Sequence, residues 1–233
     1  KVAVIGLGYI GESLLRACLS KNLEVFGVDS DQVKIRELAS SLGERNKKCH
    51  LGTDYRVIND CDVISVCVPT PLDELARPDL TAVTLTMRDI GKNMSRQKNQ
   101  LVVLESTVAP GTTSGIVREI LESHSSLVAG ENFALAFSPE RIDPNNKTFS
   151  IENTPKIVAG FTTSCAKRAA SFYETFVSEV IIAQGIQEAE AAKLLENTYR
   201  LVNISLINEF AEIFRGLGID SREVIRLAGT KPF

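Results

Sequence analysis

The chain has 233 residues, 44% of them hydrophobic and 24% charged, with no low-complexity tract, which is enough for one large domain or one domain plus an appendage. A net charge of −3 argues against a general nucleic-acid or polyanion binder and leaves any phosphate binding to a local site. No apolar run reaches the ~18 residues that span a bilayer, so no membrane segment is expected.

The opening Lys1-Val-Ala-Val-Ile passes straight into glycines, as a strand and turn do and a signal peptide does not. Short runs rich in Val, Ile and Leu at 2–5, 24–29, 62–68, 100–105 and 133–137 predict buried strands. Helical patterns near 10–21, 31–42, 79–95 and 113–123 alternate with them. That rhythm predicts an α/β fold, a Rossmann-like doubly wound parallel sheet covered by helices on both faces. Lys156–Gly160 and Glu179–Ala183 flank a helix near 163–176 and are expected to extend the sheet. From Gln187 to Arg215 no Gly or Pro interrupts a long helix that is apolar on most faces, and such a helix is usually buried between domains or subunits. Gly216 and Gly218 stop it, and Asp220 or Ser221 can cap a last short helix. The expected division is a cofactor domain over 1–185, then the long helix and the start of a central helical domain over 186–233. An ending soon after so long an apolar helix suggests a chain cut short.

The five cysteines (Cys18, Cys49, Cys61, Cys67, Cys165) form no CxxC pair and sit mostly in apolar or helical stretches, which reads as free thiols in a reducing cytoplasm. His50 and His124 lie near no carboxylate-rich motif, so no metal site is expected.

Gly6-Leu-Gly8-Tyr9-Ile10-Gly11 follows the first strand and opens a helix. Gly6 permits the tight turn, Gly8 lets the backbone approach a pyrophosphate, and Gly11 allows close helix–strand packing. The helix amides and dipole then face the phosphates. Asp29, at the end of the second strand, can accept both ribose hydroxyls and would repel a 2′-phosphate, which favours NAD over NADP. A lesser reading makes Asp29 a cap for the helix over 31–42, and it could serve as both. Lys34 either reaches the ribose or is solvated. Glu12, in the first turn of the phosphate-facing helix, would oppose a pyrophosphate unless it points outward.

Three loops at strand ends carry further polar residues: Val68-Pro69-Thr70-Pro71, Glu105 to Thr113 (ESTVAPGTT) and Ser138 to Asn146 (SPERIDPNN). In an open α/β sheet these ends line the ligand crevice. On the long helix Lys193, Asn197 and Arg200 share one face at i, i+4 and i+7. Lys193 is a candidate acid/base or oxyanion stabiliser, and Arg200 a candidate substrate anchor.

GLGYIG, VPTP, the PDL at 78–80, ESTVAPGTT, SPERIDPNN, and Ala189 to Arg200 (AEAAKLLENTYR) with Asn203-Ile and Asn208-Glu209 together resemble the UDP-glucose/GDP-mannose dehydrogenase family. The arginine of SPERIDPNN, the ENTYR run and the terminal TKPF resemble its N-acetylhexosamine branch. Within that branch the Asp-Pro-x-Asn segment is more similar to the UDP-N-acetylglucosamine 6-dehydrogenases than to the N-acetylmannosamine enzymes. The resemblance implies oxidation of a sugar C6 alcohol to a carboxylate in two NAD-dependent steps, with a cysteine carrying a thioester, as part of nucleotide-sugar metabolism and polysaccharide biosynthesis. It implies that Gly6, Gly8, Tyr9, Ile10, Gly11, Asp29, Lys34, Pro69, Thr70 and Thr107 hold NAD. Lys193, Asn197, Glu140 and Thr107 would be catalytic, Lys193 as acid/base and Glu140 helping to activate water. Arg141, Ile142, Lys193, Asn197, Arg200 and Lys231 would meet the UDP-sugar, with Lys231 reaching it across a homodimer built on the long helix. The family's cysteine belongs to a GGHC-type motif beyond TKPF, followed by a UDP-binding domain, so this chain is expected to bind NAD without turning over. Asn145 stands where the family commonly has glycine, and Asn tolerates positive φ. A 3-hydroxyacid or 6-phosphogluconate type dehydrogenase, which also sets a Lys and an Asn four residues apart on a helix, and a non-catalytic NAD-binding module are the alternatives.

Overall fold

The short β-branched runs pair into one sheet. In the computed structural model, which describes residues 1–43, 47–142 and 148–232, eight strands are seen among the described residues. They are β1 (Val2–Ile5), β2 (Val25–Val28), β3 (Cys49–Gly52), β4 (Val63–Val66), β5 (Leu101–Leu104), β6 (Ala134–Phe137), β7 (Lys156–Gly160) and β8 (Val180–Ile182). Their order is β3-β2-β1-β4-β5-β6-β7-β8. The chain winds outward from β1 to β3, returns, and winds the other way from β4, so the switch point lies between β1 and β4.

Alternation along each strand sends residues to two cores. Ala3, Ile5, Ile64 and Val66 join Met87 and Ile90 of α3 (Thr81–Asn93) and Leu121 of α4 (Arg118–Ser125) on one face. Val2, Val4, Val25 and Val103 join Leu14 and Leu15 of α1 (Tyr9–Ser20), Leu38 of α2 (Gln32–Leu42) and Ala169 and Tyr173 of α5 (Thr163–Tyr173) on the other. Each fully buried aliphatic side chain contributes about 1.5–3 kcal/mol, which is why the faces take helices and not water.

The sheet departs from all-parallel at one place. β7 runs antiparallel to β6, pairing Ala136 with Gly160 and Phe137 with Ala159. A parallel neighbour needs a crossover, usually a helix. Between Phe137 and Lys156 no helix occurs among the described residues, so the chain simply turns back. β8 then pairs parallel to β7 through α5. β3 is an addition to the expected strands, a half-buried edge at β2.

The chain divides into two units, Lys1–Lys193 and Leu194–Phe233. The long helix α6 (Ile186–Gly216) contributes its opening turns to the first, where Ile186, Ala189 and Glu190 are buried. For this reason the two compact units divide within the helix, after Lys193. The second unit holds the rest of α6 and α7 (Ser221–Ala228), capped by the Asp220 carboxylate accepting from Arg222 N at 3.0 Å. Its apolar residues are exposed in the single chain, Leu195 and Tyr199 to 71% each. Ile207, Phe210, Phe214, Val224 and Ile225 line an apolar groove of about 440 Å³ within it. No helix among the described residues is long and apolar enough to cross a membrane.

Candidate functional site

Ile5 ends β1, and the chain turns at Gly6, whose φ of +87° suits glycine and where a Cβ would fall 2.9 Å from the Cys67 carbonyl oxygen. At Gly11 a Cβ would overlap the Gly6 carbonyl oxygen, so α1 packs on the turn only because that atom is missing. Gly8 differs from both. It has ordinary dihedrals, and a Cβ there meets no protein atom within 4 Å. No side chain caps α1 at Gly8, which leaves the amides of its first turn facing open space. Space and donors at a helix N-terminus fit a pyrophosphate. Glu12 is turned to Arg16, 2.8 Å away, and does not line the cavity there.

Asp29 is tied to this turn. Its Oδ2 accepts from Leu7 N at 2.7 Å and its Oδ1 from Asp31 N at 2.9 Å. The helix cap is Asp31, which accepts from Val33 N and Lys34 N, so capping is not the task of Asp29. A carboxylate has about four acceptor positions, and two remain for hydroxyls. Lys34 Nζ stands 3.6 Å from Asp29 Oδ2.

Across the switch point, Thr70 Oγ1 donates to Thr107 O (2.7 Å) and Ser106 Oγ to Val68 O (2.6 Å), binding the VPTP loop to the β5 end. Together the two halves enclose a cavity of about 810 Å³. Gly6, Gly8, Tyr9, Ile10, Asp29, Lys34, Pro69, Thr70 and Thr107 all line it, whereas Gly11 supports it from behind. Cys67 also lines it, but burial, with Glu105 adding to the effect, pushes its thiol well above the ordinary range. Burial likewise raises Cys49, Cys61 (to about 11) and Cys18 (to about 12), so none of these four is a ready thiolate.

Beneath the β5 end lies a buried charged cluster that sequence reading missed. Lys156, first residue of β7, places Nζ 2.8 Å from Glu105 Oε2 and 2.8 Å from Glu140 Oε2. Tyr173 OH donates to Glu105 Oε1 at 2.9 Å, and the Ser65 hydroxyl donates to the same oxygen. Glu140 Oε1 accepts from the backbone N of Arg141 and of Ile142, each at 2.7 Å, which folds the SPER segment around its own carboxylate. Burial would push the Glu140 carboxyl up, but Lys156 and these hydrogen bonds outweigh it and hold it below its ordinary value. Burial would lower Lys156, yet its two carboxylates win and raise it. The Arg141 guanidinium donates to Pro155 O at 2.8 Å. Asp143 to Asn146, with Asn145, lie outside the described residues.

A third buried carboxylate ties in α6. Glu190 is fully buried and accepts from Gly111 N (2.6 Å) and Thr113 N (2.9 Å), the end of the ESTVAPGTT loop. Lys193 follows one turn later, within the first unit. Asn197, Arg200 and Lys231 belong to the second.

Residues 1–177 match the NAD binding domain of the UDP-glucose/GDP-mannose dehydrogenase family, and residues 187–233 match its central domain. The chain belongs to this family. Among its members, the UDP-N-acetyl-D-glucosamine 6-dehydrogenase of Pseudomonas aeruginosa is 38% identical over 242 aligned positions, covering 99% of this chain and 57% of that protein. The solved UDP-D-ManNAc dehydrogenase of Pyrococcus horikoshii superposes with a TM-score of 0.87 at 32% identity, over 99% of this chain and 58% of that one. A ternary complex of GDP-mannose dehydrogenase from P. aeruginosa gives 0.86 at 25% identity, over 99% and 56%. The chain thus spans somewhat over half the length of the family members it matches, and its cofactor is NAD.

Proposed function

We propose that this chain is the cofactor-holding and partial substrate-holding portion of an NAD-dependent UDP-N-acetylhexosamine 6-dehydrogenase, which converts the C6 alcohol to a carboxylate by two successive hydride transfers. The observation that carries this reading is the frame around the cavity. The glycine turn, the β4 and β5 ends, the SPER segment and the first turns of α6 are joined by Asp29, Thr70, Glu105, Glu140 and Glu190. NAD, when bound, accepts the hydride. Gly8 and the α1 amides hold its phosphates and Asp29 a ribose, while Pro69, Thr70 and Thr107 bound its other half. Lys193 takes the alcohol proton, and Asn197, four residues later in the sequence, is the second catalytic residue of this stretch. Arg141, Ile142, Arg200 and Lys231 hold the nucleotide sugar. Burial raises the thiols of Cys18, Cys49, Cys61 and Cys67, which makes these four poor candidates to carry a thioester. The free cysteines favour a reducing, cytoplasmic setting. The exposed apolar residues of the second unit favour a second copy as their cover.

The protein that carries this chain, given UDP-N-acetylglucosamine or UDP-N-acetylmannosamine, is expected to release two NADH per sugar consumed and to sediment as a dimer. One NADH per turnover, turnover confined to 3-hydroxy acids, or a monomer at micromolar concentration would each remove the corresponding part.

The ribose assignment has its own test. The wild-type chain is expected to hold NAD at least about tenfold more tightly than NADP by calorimetry, because the Asp29 carboxylate repels a 2′-phosphate. Asp29→Asn keeps an oxygen for Leu7 N and removes the charge, so it should narrow that gap. Equal affinities in the wild type would overturn the assignment.

A further inference from the structure

The buried cluster does something that packing does not require. Glu105 and Glu140 are fully or almost fully enclosed, and Lys156 is 3% exposed. Glu105 accepts from Lys156, Tyr173 and Ser65, and Glu140 accepts from Lys156 and two backbone amides, so each carboxylate is held by three partners. Two carboxylates and one ammonium leave a net charge of −1 shut away from solvent. A neutral design was available, since a buried pair needs one partner of each sign.

The position of that charge matters. Asp29 and Glu105 both line the cofactor cavity, Asp29 after β2 and Glu105 after β5, on opposite sides of the β1/β4 switch point. A dinucleotide with one ribose at Asp29 extends its other half across the switch point, toward Glu105. For NAD that half carries the nicotinamide, which is cationic when oxidised and neutral when reduced.

We infer that the Glu105–Lys156–Glu140 cluster is a specificity element for the oxidation state of the cofactor, favouring the cationic oxidised nicotinamide over the reduced one. The inference rests on the cofactor placement proposed above. A unit charge several ångströms away, acting through an effective dielectric of about 20, shifts an equilibrium by about tenfold or more. Asp29 and Lys34 sit at the far end of the cavity and act about equally on both forms. Tyr173 and Ser65 orient Glu105 without adding charge. Glu105 and Glu140 are therefore positioning and electrostatic residues here.

The test is the ratio of NADH to NAD+ dissociation constants, measured on the chain by NADH fluorescence and calorimetry. Glu105→Gln, which brings the cluster to neutrality at the cavity wall, is expected to lower that ratio by about tenfold. Glu140→Gln neutralises it from farther away and is expected to lower the ratio by about threefold. Tyr173→Phe removes a hydrogen bond but no charge and is expected to leave the ratio unchanged. A merely structural role would weaken both forms together. If both glutamine variants keep the ratio within about twofold of wild type while binding persists, the inference is overturned and the cofactor placement stands. If the wild-type chain binds neither form, both fall. Should Glu105→Gln not fold, the Glu140→Gln ratio decides alone.

Discussion

Gly11→Ala is expected to destabilise the chain by about 3 kcal/mol or more and to abolish measurable NAD binding, whereas Gly8→Ala is expected to abolish binding with stability almost intact. The two glycines lie three residues apart in one motif and are glycine for different reasons. At Gly11 the added methyl would overlap the Gly6 carbonyl oxygen and also reach within 3.4 Å of Val4 Cγ1. Backbone on one side and core on the other leave it no exit, so α1 must lift off β1, and overpacking of this kind costs about 1–3 kcal/mol even where side chains can yield. At Gly8 the methyl meets no protein atom within 4 Å, and the backbone is in an ordinary extended conformation. Its carbon would stand in the space that the α1 amides face. A loss of about 100-fold in affinity corresponds to about 2.7 kcal/mol, well within what displacing a phosphate from those amides would remove. Urea denaturation and calorimetry on both variants separate the roles. A Gly8→Ala chain that binds NAD normally would show that the phosphates lie elsewhere.

Much of the architecture was legible because buried strands and amphipathic helices leave periodic traces. The β1–Gly6–α1 unit, the second strand ending at Asp29 and the long helix are read directly from Val/Ile runs, glycine spacing and the absence of Gly or Pro over 187–215. β3 was not legible. Cys49-His-Leu-Gly has neither an apolar run nor strict alternation, and it is a strand because β2 offers an unpaired edge to which it bonds. The reversal at β7 was equally hidden, since Lys156-Ile-Val-Ala-Gly reads alike in either direction and its connection to β6 shows no helix among the described residues.

The lining of the cavity at the β1 and β2 ends was legible in the sequence, because a contiguous glycine motif and the acid directly after β2 mark it. The charged cluster was not. Ser65, Glu105, Glu140, Lys156 and Tyr173 come from five elements or loops, and each has a bland local explanation. Lys156 reads as the solvated first residue of a strand, and Tyr173 as an apolar position of α5. The available signal was a strand opening with lysine in a segment expected to extend the sheet, beside two strand-end glutamates. Asp29 was ambiguous between ribose ligand and cap, and the cap is Asp31, two residues on.

Lys156→Met is expected to cost about 3–5 kcal/mol at pH 7, the amount by which removing one member of a buried ion pair strands its partners. Glu105, Glu140 and Lys156 are all at most 5% exposed, so solvent does little to screen the loss. The deficit should depend on pH in a defined direction. In the wild type the Glu140 carboxyl lies below its ordinary 4.5, so its stabilisation is fully present above that value and fades as pH falls through the lower folded one. In Lys156→Met the attraction is gone and only the Arg141 and Ile142 amides still oppose burial at Glu140, so burial gains weight and the carboxyl rises. A group raised in this way opposes folding at neutral pH and ceases to do so once it is protonated. The gap between variant and wild type should therefore be widest near pH 7 and should narrow toward pH 4.5, in urea denaturation at fixed ionic strength. A gap that is constant over that range, or below about 1 kcal/mol at pH 7, would mean that Lys156 packs at the β5 and β6 ends without holding the two carboxylates there.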